Sequence, residues 1–269
     1  MATGRQAALK IGPEGGQGVE ITGLRFEFNI KKTILPTANE ADIRVYNLSE
    51  NTRALVSEEN VVCVFSAGYE DEGGPRGLFW GLVDKVETDR STADFETRLL
   101  AYDGQRPVSE RYVTLAFPGG SSIQDVVDAA IDALGFPTGN DRAIQGELDG
   151  GFSFSGSAVD ALTIALDEAG LKWTIQNELL YIYAEGESVE PEALNLTPST
   201  GLVGPVRSYT DKGAPKWSAT SLLYPQLVPG SIVRIEARDA EGLFLIETSV
   251  FRGDTFGGEF VAEIEVLAL

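Results

Sequence analysis

Histidine is absent from all 269 residues, and there is one cysteine, Cys63. Without histidine there is no Ser-His-Asp triad, no Cys-His dyad and no His-ligated zinc or haem. One cysteine forms no intramolecular disulfide and no thiolate metal cage. Positive charge is scarce as well: 21 Lys and Arg stand against 41 Asp and Glu, a net charge of −20. That excess argues against a nucleic-acid binder driven by counterion release and against docking on an anionic membrane surface. Long hydrophobic runs are also missing. Val61–Ala67 is among the longest, far short of the ~20 residues that span a bilayer. No apolar stretch follows Met1-Ala2-Thr3-Gly4-Arg5, so no secretory signal is expected. The expected site of synthesis is a reducing cytoplasm, with the protein kept there until it assembles.

What is present is a globular composition, with 43% hydrophobic and 23% charged residues. At about 100–150 residues per domain the length allows one large domain or two to three small ones. Charge is uneven. Residues 1–105 carry 11 basic and 17 acidic groups, residues 106–196 carry 4 and 15, and residues 197–269 carry 6 and 9. The middle third thus holds more than half of the excess and reads as a unit with its own solvated surface.

The first third reads as β. Leu24, Phe26, Phe28 and Ile30 alternate with polar neighbours, as do Ala41, Ile43 and Val45, the pattern of half-buried strands. Ser49 is placed to cap a short helix to about Val56. Val61–Ala67 reads as a strand buried on both faces, Glu70–Pro75 as a turn, and Leu78–Val86 and Phe95–Tyr102 as strands joined by the polar stretch Asp89–Thr92. The middle third changes period. Ser121 and Gln124 form a capping box for a helix presenting Ile123, Val127, Ala130, Ile131 and Leu134, stopped by Gly135 and Pro137. A second helix opens at Ser157, with Leu162, Ala165 and Leu166 on one face, and ends at Gly170. Lys172–Gln176 and Leu179–Tyr183 read as a hairpin turning at Asn177-Glu178. Glu185–Pro198 is acidic and aperiodic and reads as a linker. Gly201–Pro229 reads as short strands joined by long loops. Ser231–Ala237, Leu243–Val250 and Phe260–Leu267 are strands again, with a turn over Gly253–Gly258. The expected fold is mainly β with an α+β insertion: two small tube-type β-barrel domains, 1–105 and 197–269, around a middle α+β domain, 106–196.

Candidate chemistry is sparse. Gly12–Gly18 lacks the Lys-Ser/Thr pair of a phosphate loop and reads as a flexible loop. Gly151-Phe152-Ser153-Phe154-Ser155-Gly156 fails the Gly-x-Ser-x-Gly elbow, and no histidine is there to serve it. The acidic clusters Glu70–Glu72, Glu147–Asp149 and Asp239–Glu241 lack regular Ca²⁺-ligand spacing and read as solvated charge. Paired carboxylates of a glycosidase cannot be told from chance pairs by spacing alone. Cys63 lies inside an apolar strand and reads as a buried thiol. Trp80, Trp173 and Trp217 fall in strand-like segments, where packing is the default and a sugar platform the alternative. No catalytic, cofactor or metal residues are assigned, and the chain is expected to be an assembly protein and not an enzyme.

Several segments, taken in order, resemble one family. Ala41-Asp42-Ile43-Arg44-Val45-Tyr46-Asn47-Leu48-Ser49-Glu50-Asn51-Thr52-Arg53 resembles a strand, an Asn-Leu-Ser piece and a short Thr-Arg helix near the start of bacteriophage tail and baseplate hub proteins. Ala67-Gly68-Tyr69, Leu78-Phe79-Trp80-Gly81-Leu82-Val83 and Ala101-Tyr102-Asp103-Gly104 resemble the strands that follow. Ser122–Leu134 and Ala158–Ile182 resemble the two helices and hairpin of the middle unit. Leu227-Val228-Pro229-Gly230-Ser231-Ile232-Val233 and Gly253-Asp254-Thr255 resemble the last barrel. No lysozyme or peptidase insertion is visible.

The resemblance implies a homotrimer with two barrels per subunit. Its pseudo-six-fold ring joins a six-fold tail tube protein to a three-fold central spike protein, with tape-measure and baseplate wedge proteins as further partners. The location implied is the tail tip of a virion or a related injection device, with DNA passing through the lumen and not bound stably. Intersubunit contact is expected at outer strand edges through Leu78, Trp80, Leu82, Phe260, Ala262 and Ile264. The competing expectation is a carbohydrate-binding or adhesin-type β-domain, which would gather Trp and Tyr on one open face.

Overall fold

Alternation of inward apolar and outward polar side chains builds most of the fold. The computed structural model describes residues 4–90, 93–103, 111–211 and 213–269, without the side chains of 190–193. Met1-Ala2-Thr3, Thr92 and Gly104 of the expectations above lie outside the described residues. The first portion comprises β1 (Arg5–Pro13), β2 (Val19–Thr22), β3 (Phe26–Thr33), β4 (Glu40–Tyr46), helix α1 (Glu50–Val56), β5 (Val61–Tyr69), β6 (Gly74–Asp89) and β7 (Glu96–Tyr102). Phe26, Phe28 and Ile30 of β3 and Ala41, Ile43 and Val45 of β4 face inward. Ser49 caps α1 by accepting the Thr52 amide at 3.2 Å.

The middle unit comprises β8 (Tyr112–Phe117), α2 (Ile123–Leu134), β9 (Phe152–Ser157), α3 (Ala158–Glu168), β10 (Leu171–Gln176) and β11 (Leu179–Ala184). Strand β8 pairs with β9, and β10 with β11. Its own core packs Val126, Val127, Ala130 and Leu134 of α2 on Leu162, Ala165 and Leu166 of α3 and on Trp173 and Ile175 of β10. The N-cap of α2 is Ser122, one residue beyond the expected Ser121, and its hydroxyl accepts the Gln124 amide at 3.1 Å. Gln124 is drawn elsewhere: its Oε1 accepts the Ile144 amide at 2.8 Å. Gly135 adopts φ 74° and ends α2 as expected.

The last portion holds β12 (Glu190–Leu196), β13 (Arg207–Asp211), β14 (Ala214–Leu222), β15 (Ser231–Glu236), β16 (Glu241–Asp254) and β17 (Phe260–Ala268). Thirteen described strands join in one sheet. Its path runs β13-β14-β17-β16-β3-β4-β7-β6-β5-β1-β2, with β15 also on β16 and β12 on β15. Strand β16 joins the two β portions. Its first half pairs with β15, from Glu236 opposite Glu241 to Ile232 opposite Leu245, and its second half pairs with β3, from Thr33 opposite Thr248 to Glu27 opposite Asp254. A bulge between Ile246 and Thr248 bends β16 at the changeover while β17 follows on its other side.

The first portion is rolled up. Phe26 and Phe28 of β3 meet Phe65 of β5 with ring centroids 5.8 and 4.9 Å apart. Tyr69 of β5 reaches Phe260 of β17 at 5.2 Å and donates its hydroxyl to the Phe260 carbonyl at 2.9 Å. Strands far apart along the sheet path thus face one another, and one apolar core runs through both β portions.

Three local expectations are corrected. Val61–Ala67 is buried on one face only: Val61, Cys63, Phe65 and Ala67 point inward while Val62, Val64 and Ser66 are half-buried. The apolar outward residues made the run look continuous. Glu185–Pro198 is not all linker, because β12 within it pairs in parallel with β15. Gly12–Gly18 is not all loop: β1 runs through Gly12 to Pro13, and a Cβ on Gly12 would fall 2.5 Å from the Gly18 Cα. Gly201–Pro229 holds short strands between irregular stretches as expected, with Arg207–Asp211 laddered against Ala214–Ser218.

Candidate functional site

Of the two strands expected to form outer edges, β17 is interior, lying between β16 and β14. Strand β6 pairs with β5 from Gly74 to Leu82 and with β7 only from Leu82 to Asp89, so among the described residues the stretch holding Leu78 and Trp80 has a strand partner on one side only. Phe260, Ala262 and Ile264 point into the core at 2% exposure or less, and Leu78 is buried too. The reason is period two: the apolar members of an alternating strand are the ones the core takes. On β17 the residues between them, Val261, Glu263 and Glu265, face outward. Trp80 is different. It is 45% exposed, and Leu82 beside it is half-buried. The free ends of the sheet path are β13 and β2.

Trp80 and Leu82 open onto a cleft of about 540 Å³ between the first β portion and the middle unit. Val62 of β5 and Tyr102 of β7 line it from the sheet, Leu134, Phe136 and Pro137 from the end of α2 and beyond, and the charged Glu14, Arg111 and Glu178 also border it. Gly81 lets β6 approach β7 here, since a Cβ would stand 2.5 Å from the Tyr102 carbonyl oxygen.

A second feature sits at the β16–β17 turn, over Gly253-Asp254-Thr255. Gly253 is required by packing: a Cβ there would fall 2.4 Å from Phe28 Cζ and 2.7 Å from Phe260 Cδ2. The Asp254 carboxylate accepts Arg25 Nε at 3.2 Å, Arg25 Nη2 at 2.8 Å and the Phe256 amide at 2.9 Å. Burial works to raise this carboxyl, and the Arg25 guanidinium with the Phe256 amide more than offsets it, so Asp254 titrates below its ordinary value. Thr255 accepts the Phe26 amide on its hydroxyl and donates its own amide to the Phe26 carbonyl, both at 3.0 Å. Phe256 itself projects outward and is 74% exposed.

The outward face of β7, β4, β3, β16 and β17 carries ion pairs. Arg98 grips Asp42 through Nε and Nη2 at 2.9 and 2.8 Å, Arg44 approaches Glu96 at 3.6 Å, and Arg252 pairs with Glu263 at 2.8 Å. Such exposed pairs add little stability, about 0–1 kcal/mol each, and their main effect here is to leave the face hydrophilic and locally neutral.

The middle unit is keyed to the sheet by a buried polar network. The β10–β11 turn places Asn177 and Glu178 at φ 54° and 63°, the left-handed pair of a two-residue hairpin. Lys32 of β3 is fully buried and donates to Asn177 Oδ1 at 2.7 Å. The buried Asp103 carboxylate accepts the Asn39 amide at 2.9 Å, Asn39 Nδ2 at 2.9 Å and the Asn177 amide at 3.0 Å. Asn39 Nδ2 also reaches the Ile175 carbonyl at 3.0 Å, and Gln176 Nε2 reaches the Thr33 carbonyl at 2.8 Å. Burial pushes the Lys32 ammonium down to about 8 against the pull of Asp103, and burial raises Asp103. Sequence reasoning missed this cluster. Its only local signal is a lysine at the inward position that follows Phe26, Phe28 and Ile30.

Cys63 is buried with its thiol pushed up to about 12 by desolvation. Among the described residues no three metal-ligating side chains converge, and no helix is long and apolar enough to cross a membrane.

The fold that carries these surfaces is the one found in phage tail proteins. The 43 kDa tail protein of prophage MuSo2 from Shewanella oneidensis superposes with a TM-score of 0.68 at 12% identity, over 98% of either chain. The tail protein of Neisseria meningitidis MC58 gives 0.63 at 13% identity, over 97% of this chain and 96% of that one. The E. coli c3393 protein, a type VI secretion component described as similar to the T4 tail proteins gp27 and gp5, gives 0.62 at 14% identity, over 97% of this chain and 76% of that one. No family model and no curated protein matches the sequence.

Proposed function

We propose that this chain is a structural subunit at the tip of a phage tail or related injection device. Three copies form a ring, and each contributes two barrel-like portions, residues 1–105 and 190–269, with the middle unit 106–189 packed beside them; the second portion starts before residue 197 because β12 pairs with β15. The ring adapts a six-fold tail tube to a three-fold spike. One observation carries this reading: β16 runs through both β portions. A shared strand makes the two portions one rigid pair, and three rigid pairs present six similar faces at fixed angles. The full-length likeness to tail proteins supports the same reading.

The partners on this reading are two further copies, a tail tube protein and a spike protein, with tape-measure and baseplate wedge proteins beyond them. Its place is the virion tail tip, and its role is mechanical, not enzymatic. The carbohydrate-binding alternative finds less support. Trp173 is buried in the middle unit, Trp217 packs edge-on against Phe244 at 5.4 Å, and only Trp80 is open. Three dispersed indoles do not make a sugar platform. The native mass at low micromolar concentration tests the proposal. Three times 28.9 kDa is expected, and a monomer that stays monomeric when mixed with tube and spike chains overturns it.

A further inference from the structure

The buried network that keys the middle unit to the sheet also brings together the groups of an amide-forming reaction. Lys32 lies on β3, and its Nζ donates to Asn177 Oδ1 at 2.7 Å across 145 positions of sequence. A C=O bond is about 1.2 Å long, so Asn177 Cγ stands no more than about 3.9 Å from the amine. That approaches the ~3–3.5 Å of a near-attack pair. Lys32 is fully buried, and among the described residues this is the one hydrogen bond its Nζ makes. An ammonium has three donors to satisfy, so the charged form is poorly housed. Burial lowers the amine to about 8, which leaves about a tenth of it neutral and nucleophilic at pH 7.

Asn177 is held in place for attack. It sits at φ 54° in the β10–β11 turn, and its backbone amide donates to Asp103 Oδ2 at 3.0 Å. Asp103 is fully buried, and it is the charge that holds the Lys32 amine up against desolvation. Burial raises its own carboxyl, the direction that lets it take up and return a proton. Asn39, Thr174 and Gln176 are buried as well and are hydrogen-bonded to Asp103 or to one another. They keep bulk water from competing for the amide carbon.

We propose that Lys32 and Asn177 become joined by an isopeptide bond, with Asp103 as the proton carrier. Nζ, as the free amine, attacks Asn177 Cγ. The Nζ–Cγ bond forms and the Cγ–Nδ2 bond breaks. The proton that Nζ gives up passes through Asp103 to Nδ2, which leaves as ammonia. One amine and one primary amide become one secondary amide and ammonia, and no oxidant, nucleotide or metal is consumed. The product ties β3 to the middle unit covalently, in a chain whose single cysteine forms no internal disulfide. Reductants leave such a tie intact.

The intact mass of the purified full chain tests this, after incubation at mildly alkaline pH until the mass is constant. A mass one ammonia below the value its sequence gives is expected, and after proteolysis Lys32 and Asn177 should lie in one branched fragment. Lys32→Met and Asn177→Gly should keep the ammonia, the second variant being chosen because glycine retains the left-handed turn. Asp103→Asn keeps an acceptor oxygen but carries no proton. It should also stay unlinked, while circular dichroism and elution volume show the parent fold. The full sequence mass in the wild-type protein, with Lys32 and Asn177 in separate fragments, overturns the bond. An ammonia lost from an unbranched Asn177 fragment, the mark of a cyclic imide, overturns it too. Loss of water in place of ammonia does the same, because it marks a Lys32–Asp103 amide. An Asp103→Asn variant that still links overturns the role of Asp103. None of these readings depends on whether the chain forms a ring.

Discussion

Asp103→Ala tests how the middle unit is held. The carboxylate is the acceptor for the Asn39 amide, Asn39 Nδ2 and the Asn177 amide. Asn39 Nδ2 keeps the Ile175 carbonyl after the change, so two backbone amides lose their acceptor. Lys32 keeps Asn177 Oδ1 but loses its buried counter-charge. Breaking a buried charge pair by removing one partner costs about 3–5 kcal/mol, and each orphaned amide adds about 1–3 kcal/mol, not additively. A loss of at least ~3 kcal/mol is expected, a fall in Tm of roughly 6–12 °C at about 2–4 °C per kcal/mol. Urea unfolding measures the loss, and amide exchange locates it: the β10–β11 hairpin should lose protection before β3 and β4 do. Lys32→Met added to Asp103→Ala should restore part of the loss, by about 0.5–3 kcal/mol, because no uncompensated charge then remains. Stability within 0.5 kcal/mol of the parent, or strictly additive effects of the two changes, refutes the reasoning.

Phe65→Ala, which empties the space under Phe26 and Phe28, should cost about 3–5 kcal/mol by urea unfolding. Gly253→Ala should lower Tm although the glycine is not in a left-handed conformation, because two aromatic rings occupy the place of the new methyl. The Asp254 brace should be pH-dependent. Its carboxyl titrates below the ordinary 3.8, so its contribution is present above that value and lost as pH falls through the folded one. Carboxyl NMR titration should show the depressed midpoint, and Arg25→Ala should move it up. Cys63 should ignore a thiol reagent at neutral pH until the chain is unfolded, and fast labelling of the native protein contradicts its burial.

Much of the fold can be read in short-range pattern because short-range physics makes it. The alternation over Phe26–Ile30 and Ala41–Val45, the serine caps and the Asn177-Glu178 turn each depend on neighbours within a few residues. Strand β12 could not be found that way. Its order comes from pairing with β15, and its own residues show no alternation. Strand β1 was hidden because Ala7, Ala8 and Leu9 are buried in succession. The Lys32 network joins residues 32, 39, 103 and 177, and nothing local links them. Of the expected contact residues, Phe260, Ala262 and Ile264 are the apolar, inward members of an alternating strand, so the core holds them, whereas Trp80 is 45% exposed. The turn Gly253-Asp254-Thr255 was legible as a motif, but its partners Arg25, Phe26 and Phe28 are visible only in the fold.

The central claim is that the shared strand β16 makes each chain a rigid pair, three of which close a ring. Electron microscopy of the purified, unmodified protein addresses it directly. Class averages should show a three-fold ring with six similar lobes around a central opening. Isolated particles, or a closed ring whose lobes do not number two per subunit, contradict it.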